Sequence, residues 1–198
     1  MIKRALISVY DKSGLEELVS ALGEYGVEIV SSGGTARRIE GMNYPHLVKV
    51  ADYTGHPESP GGLLKTLHPK IHGGFLLDPE NLEHREWFEE HDIGHFDILV
   101  SNLYPFEKVT AAGADLKEAS ENIDIGGPTM TRSAAKAALL YGRIVVVTDT
   151  AQYPMIIKVM KQNNGVIPSK LIQELAVRAF KRTAEYDAAI VSYLSKMK

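Results

Sequence analysis

The sequence predicts one layered α/β domain, a parallel sheet covered by helices on both faces and extended by helices at its C-terminal end. Three observations carry that prediction. Short β-rich runs alternate with amphipathic segments along most of the chain, the pattern that sets parallel strands beside crossover helices. The 198 residues suffice to bury roughly 70% of the surface the unfolded chain exposes. Hydrophobic residues make up 44% and charged residues 24%, an ordinary globular balance, and no apolar run approaches the ~20 residues of a membrane helix.

The elements follow in order. Residues 4–9, Arg-Ala-Leu-Ile-Ser-Val, form a β-rich run. The next segment repeats apolar residues at Leu15, Leu18, Val19 and Leu22, an amphipathic helix with Ser13 as its N-cap and Glu16 three residues on. Residues 27–31 read as a strand, Gly33-Gly34-Thr35 opens a short helix through Ile39, and residues 46–50 read as another strand. Residues 51–70, rich in proline and glycine, read as a long loop, and such loops in compact domains are often functional. A charged helix spans residues 79–91, and residues 96–101 form the most apolar strand. Helices over 116–121 and 128–140, a strand from Arg143 and helices over 152–162 and 169–193 complete the chain. In the last of these Leu171, Leu175, Ala179 and Phe180 face inward. Nothing marks an internal repeat or a domain boundary.

Composition excludes several functions. A formal net charge of -3 gives no basic field for nonspecific nucleic-acid binding. The absence of cysteine rules out disulfides, thiolate catalysis and Cys-based metal sites. The opening residues, Met1-Ile2-Lys3-Arg4 and a short apolar run, lack the long apolar core and small-residue cleavage site of a secretory signal. The expectation is a soluble, cytoplasmic protein.

Chemistry concentrates after strands. Ser8-Val-Tyr-Asp-Lys-Ser-Gly and Ser31-Ser-Gly-Gly-Thr each follow a strand and precede a helix. Hydroxyls, Lys12 and free N–H groups at a helix start suit a phosphate monoester. Each loop alone reads as ordinary capping and turn chemistry; two such loops in one parallel sheet bring the phosphate reading level with it. His68 and His72 have the spacing of half a zinc site, but Pro69 disfavours a helix running through both and no third ligand is evident.

Asn102-Leu-Tyr-Pro-Phe ends the apolar strand, where open α/β sheets place ligands. Asp124-Ile-Gly-Gly-Pro-Thr then precedes a helix carrying Arg132 and Lys136. Read as a buried Tyr104, an aspartate at a glycine turn and two cations on one helix side, these residues suit proton transfer on an anionic substrate. Helical side chains lean toward the N-terminus, so both cations are expected to reach back toward Asp124. There a lysine can relay a proton and keep the carboxylate ionised. The bland alternative is a capping aspartate and a solvated lysine.

Taken in order, Ser8-Val-Tyr-Asp-Lys-Ser-Gly, Ser32-Gly-Gly-Thr, Lys65-Thr-Leu-His-Pro-Lys-Ile-His-Gly-Gly, Asn102-Leu-Tyr-Pro-Phe and Asp124-Ile-Gly-Gly-Pro-Thr resemble the inosine monophosphate cyclohydrolase domain of bifunctional AICAR transformylase/IMP cyclohydrolase proteins. The closing Phe180-Lys-Arg-Thr-Ala-Glu-Tyr-Asp-Ala-Ala-Ile looks like the end of that domain, so the resemblance spans essentially the whole chain, residues 1–198. It implies a methylglyoxal-synthase-like three-layer fold with a mainly parallel, doubly wound sheet. It also implies closure of 5-formamidoimidazole-4-carboxamide ribonucleotide to inosine monophosphate, the last step of purine biosynthesis, without cofactor or metal. A homodimer and a transformylase domain or protein as partner are implied as well, with no nucleic acid and no membrane.

By similarity, Asp124 and Lys136 serve proton transfer at the carboxamide, and Lys65 and Tyr104 serve the formyl oxygen and the leaving water. Ser8, Tyr10, Lys12, Ser32, Gly34 and Thr35 would hold the phosphate end, while Thr66, Asn102, Ile125 and Gly126 would line the base pocket. Two positions depart from the family pattern. Leu63 stands where Gly-Gly-Arg-Val-Lys-Thr carries arginine, and Tyr10 where a second serine is common. Methylglyoxal synthase and a nucleotide-sensing regulatory domain share this fold class; the set Lys65, Tyr104, Asp124 and Lys136 argues against both.

Overall fold

A computed structural model describes residues 1–196. Five parallel strands, β1 (Arg4–Val9), β2 (Glu28–Ser31), β3 (Leu47–Lys49), β4 (Ile98–Asn102) and β5 (Val145–Val147), form one sheet in the order β3-β2-β1-β4-β5. Strands β1, β2, β4 and β5 are short and mostly buried, as expected for strands covered on both faces, while edge strand β3 is only partly buried. In β4, Ile98, Leu99 and Val100 are all buried. The chain steps outward from β1 through β2 to β3, then returns to place β4 on the other side of β1. Strand order therefore reverses between β1 and β4, and the crevice outside their carboxyl ends is where such sheets take ligands.

The helices are α1 (Leu15–Gly23), α2 (Gly33–Glu40), α3 (Val50–Thr54), α4 (Pro69–Leu76), α5 (Leu82–Glu90), α6 (Phe106–Ala111), α7 (Leu116–Glu121), α8 (Gly126–Tyr141), α9 (Tyr153–Gln162) and α10 (Ser169–Leu194). Small residues decide the central packing: Ala134, Ala135, Ala137 and Ala138 are buried, so α8 lies close to β4, β5 and α10. The main core runs from Ile2 to Ala179. A second, smaller cluster, Leu103, Phe106, Ala119 and Tyr186, ties α10 to the segment after β4.

Several local expectations are corrected. Gly14, not Ser13, caps α1, with φ 71°, because the Ser13 hydroxyl and N–H both bond Asp11 Oδ1 at 2.7 and 2.9 Å. The strand read over 46–50 stops at Lys49, and Val50 already begins α3, which Gly55 ends at φ 70°. The long loop shrinks at both ends and contains a 3₁₀ turn at Pro60–Gly62. Pro69 opens α4 rather than breaking a helix, since the first helical position needs no N–H partner. His68 caps that helix by accepting the Lys70 N–H at 3.1 Å. Helix α6 carried too little periodicity to be read beforehand.

Candidate active site

A cavity of about 380 Å³ opens at the carboxyl ends of β1, β2 and β4. One side has the geometry of an anion cradle. The first intrahelical bond of α2 runs from the Ala36 N–H to the Ser32 carbonyl at 3.1 Å, so the N–H groups of Gly33, Gly34 and Thr35 lack helical acceptors. These three residues line the cavity, at the positive end of the helix dipole. Lys12 lies beside them: a Cβ on Gly34 would sit 3.8 Å from Lys12 Cε, and Lys12 Nζ donates to the Tyr10 carbonyl at 3.1 Å. Ser8 and Ser32 complete this side, and the Ser32 hydroxyl makes no capping bond.

Two of the expected ligand contacts turn out to hold the protein itself. Thr35 Oγ1 accepts the Val9 N–H at 3.1 Å and donates to the Val9 carbonyl at 3.0 Å, leaving its backbone N–H as the group that faces an anion. Asn102 accepts the N–H groups of Tyr10 and Asp11 at 2.7 and 2.9 Å and donates to the Asp11 carbonyl at 2.8 Å. Its amide pins the β1–α1 turn.

The opposite side carries Lys65, Thr66, Tyr104, Asp124, Ile125 and Gly126. Lys65 lies across two glycines: a Cβ on Gly33 would come 2.7 Å from Lys65 Nζ, and one on Gly62 would overlap Lys65 Cε. Both glycines have positive φ, 55° and 68°. Thr66 is buried with Oγ1 at 3.0 Å from where a Gly126 Cβ would stand. Tyr10 and Tyr104 meet edge to face at 5.7 Å over the mouth. Tyr104 is 45% exposed, which corrects the buried tyrosine expected from the sequence: Pro105 and Phe106 turn the chain into α6 and leave the phenol at the rim.

Asp124 is half-buried. Its Oδ1 accepts the Gly127 N–H at 2.8 Å, so it does cap α8, and its Oδ2 accepts the Tyr104 N–H at 3.3 Å. Burial raises its carboxyl pKa above the ordinary value, against the pull of those two N–H groups. No lysine or arginine pairs with it among the described residues. The expected contact from Lys136 fails for a geometric reason. At 1.5 Å per residue, Lys136 stands about 15 Å along α8 from its start, and the lean of a helical side chain covers about one turn. Lys136 is exposed outside the cavity, and Arg132 stacks its guanidinium over the Phe180 ring at 5.5 Å.

Ser101 was missed by sequence reading. It is buried at the end of β4 in register with Ser8, lines the cavity, and its hydroxyl has no hydrogen-bond partner. The available signal was a hydroxyl immediately before Asn102 at the carboxyl end of a parallel strand. Of the two histidines, His68 caps α4 and His72 Nδ1 meets Ser133 Oγ at 3.0 Å.

The model of the MGS-like domain family matches residues 14–129, and that of the AICARFT/IMPCHase bienzyme matches residues 134–198. The bifunctional purine biosynthesis protein PurH of Neisseria gonorrhoeae is 48% identical over 198 residues, covering 100% of this chain and 37% of that protein. PurH of Neisseria meningitidis is 48% identical over 197 residues, with 99% and 37% covered. The chain thus spans little more than a third of the length of these relatives. The crystal structure of ForH superposes with a TM-score of 0.80 at 28% identity, covering 98% of this chain and 100% of that one.

Proposed function

The chain belongs to the MGS-like domain family, and from that premise we propose that residues 1–198 form an inosine monophosphate cyclohydrolase domain. The observation that carries this reading is one cavity joining an anion cradle, Lys12 with the first N–H groups of α2, to Lys65, Tyr104 and Asp124. A phosphorylated ligand held at the cradle lays its base toward the second group. The AICARFT/IMPCHase match and the PurH relatives of purine biosynthesis support the substrate class.

In 5-formamidoimidazole-4-carboxamide ribonucleotide the carboxamide nitrogen attacks the formyl carbon of the same molecule. The nitrogen is a weak nucleophile because its lone pair is delocalised, so orientation and proton removal limit the step. Asp124, with its raised carboxyl pKa, takes the proton from the carboxamide nitrogen as the new C–N bond forms. Lys65 and Tyr104 stabilise the oxyanion on the former formyl oxygen and protonate it. The C–O bond then breaks, the formamide nitrogen gives up its proton, and inosine monophosphate and one water result.

Ser101 deepens the cradle, and Ile125 and Gly126 border the base. Lys136 takes no part in a site made by one chain. The reading extends to a cytoplasmic homodimer fed with formylated substrate by a transformylase domain or protein. Exposed Leu139, Leu140 and Val177 on α8 and α10 leave apolar surface for a second copy.

Incubating the purified chain with the formamido ribonucleotide and a chelator, while following ultraviolet absorbance, tests the reading. The hypoxanthine chromophore should appear, and Asp124→Asn should abolish it. Tight binding of inosine monophosphate with no turnover would replace the cyclohydrolase by a nucleotide sensor of the same fold.

A further inference from the structure

The turn that delivers Asp124 is held from outside the segment matched by the MGS-like domain model. Tyr186, in the middle of α10, is fully buried. Its hydroxyl donates to the Asn122 carbonyl at 3.0 Å and accepts the Asp124 N–H at 2.9 Å. One phenol therefore bridges both sides of Ile123 and fixes the peptide from which the Asp124 carboxylate projects. The ring is itself braced, edge to face on Phe106 at 6.1 Å and under the Arg182 guanidinium at 5.4 Å, with Arg182 bonded to Glu107 at 2.7 Å.

We propose that Tyr186 is a positioning residue for the cyclohydrolase reaction, and that α10 is part of the catalytic apparatus because it sets the direction of the Asp124 carboxylate. This rests on the assignment of Asp124 as the base. Asp124 touches the cavity and Tyr186 does not, so Tyr186 acts only through the turn. Burial pushes the phenol pKa up to about 12, which keeps the hydroxyl a donor to Asn122 throughout the neutral range. The remaining carboxylate contacts, the N–H groups of Gly127 and Tyr104, fix the carboxylate end, while Tyr186 fixes the backbone end. An aspartate held at both ends has one direction in which to take a proton.

Tyr193 is an internal control. It lies on the same helix, stacks edge to face on the same Phe106 at 5.8 Å, and its hydroxyl donates to the Ala114 carbonyl at 2.7 Å, away from Asp124. Tyr186→Phe and Tyr193→Phe each keep the ring and lose the hydroxyl. The experiment compares kcat, the Kd for inosine monophosphate, and amide-proton exchange at Asp124 by NMR in the two variants and the wild type.

Tyr186→Phe should lower kcat at least about tenfold, the scale expected when a reacting group is misdirected. It should also speed Asp124 amide exchange by about the same factor and leave the Kd within about twofold. Tyr193→Phe should change none of the three. Equal losses of kcat in both variants, or Asp124 exchange unchanged by Tyr186→Phe, would overturn the positioning role. A wild-type chain that turns nothing over would sink the cyclohydrolase reading instead, and the exchange comparison would still decide whether Tyr186 holds the turn.

Discussion

The two sides of the cavity are built differently. The anion side is cross-linked through the sheet: Asn102 makes three bonds to the β1–α1 turn and Thr35 two to Val9. The loop that carries Lys65 bonds mainly to itself, with the Gly62 N–H on the Ser59 carbonyl at 2.7 Å, the Leu64 N–H on Ser59 Oγ at 3.1 Å and the Leu67 N–H on the Leu64 carbonyl at 2.7 Å. The cradle proposed for an anion is therefore set before any ligand arrives, whereas the lysine is placed by packing across glycine. Binding and chemistry fail by different routes.

The comparison is broken most directly at Gly62. A methyl there meets the far end of the Lys65 side chain, which moves aside at little cost to the fold beyond the strain of a left-handed residue, about 1 kcal/mol. Gly62→Ala should cut kcat by about a hundredfold, the effect of an ångström-scale misplacement, with a far smaller change in Tm. Full turnover in that variant would show that the lysine needs no fixed path.

Asn102→Ala tests the opposite side. Three lost bonds and the backbone groups they satisfied should cost about 2–3 kcal/mol in a urea melt. Affinity for inosine monophosphate should drop about tenfold, or ~1.4 kcal/mol. A melt shifted by less than about 0.5 kcal/mol would mean the turn is held by packing after all.

Leu63 sharpens the contrast from the loop. It is 79% exposed at the cavity edge, and Leu63→Arg should raise kcat/KM by roughly tenfold, equivalent to ~1.4 kcal/mol. No change, or a loss, would show that this loop does not present a cation to the ligand.

The smallest effect is expected away from both sides, at Asp97, where the carboxylate accepts the N–H groups of Lys3 and Arg4 at 2.7 and 3.0 Å. Burial pushes its pKa up, but His95 and those two N–H groups outweigh burial and hold it below the ordinary value. Such a group adds stability above its unfolded pKa of about 3.9, and that stability is lost as pH falls through the lower folded value. Asp97→Asn should flatten stability below about pH 4 and leave the pH profile of kcat unmoved. A changed kcat profile would show that the far end of the sheet reports to the site.

Much of this was legible beforehand. Alternating strands and helices and the glycine start at Gly33 depend on local pattern, which backbone sterics and side-chain period write into a chain. Lys65, Tyr104 and Asp124 were joined by resemblance to a family, and the start of the later helix, read at Pro128, lies at Gly126. The hidden parts are long-range. That Asn102 and Thr35 serve the fold, and that Tyr104 stands at the rim, depends on neighbours distant in sequence.

The sequence alone determined the parallel α/β class and the glycine start of α2, because each follows from residue type and spacing. Only the tertiary structure decided that Lys65 crosses Gly33 and Gly62, that Asp124 is half-buried without a paired cation, that Lys136 lies beyond its reach, and that Tyr186 holds the Asp124 turn. Those are distances set by how helices pack on a sheet, and spacing along a chain does not contain them.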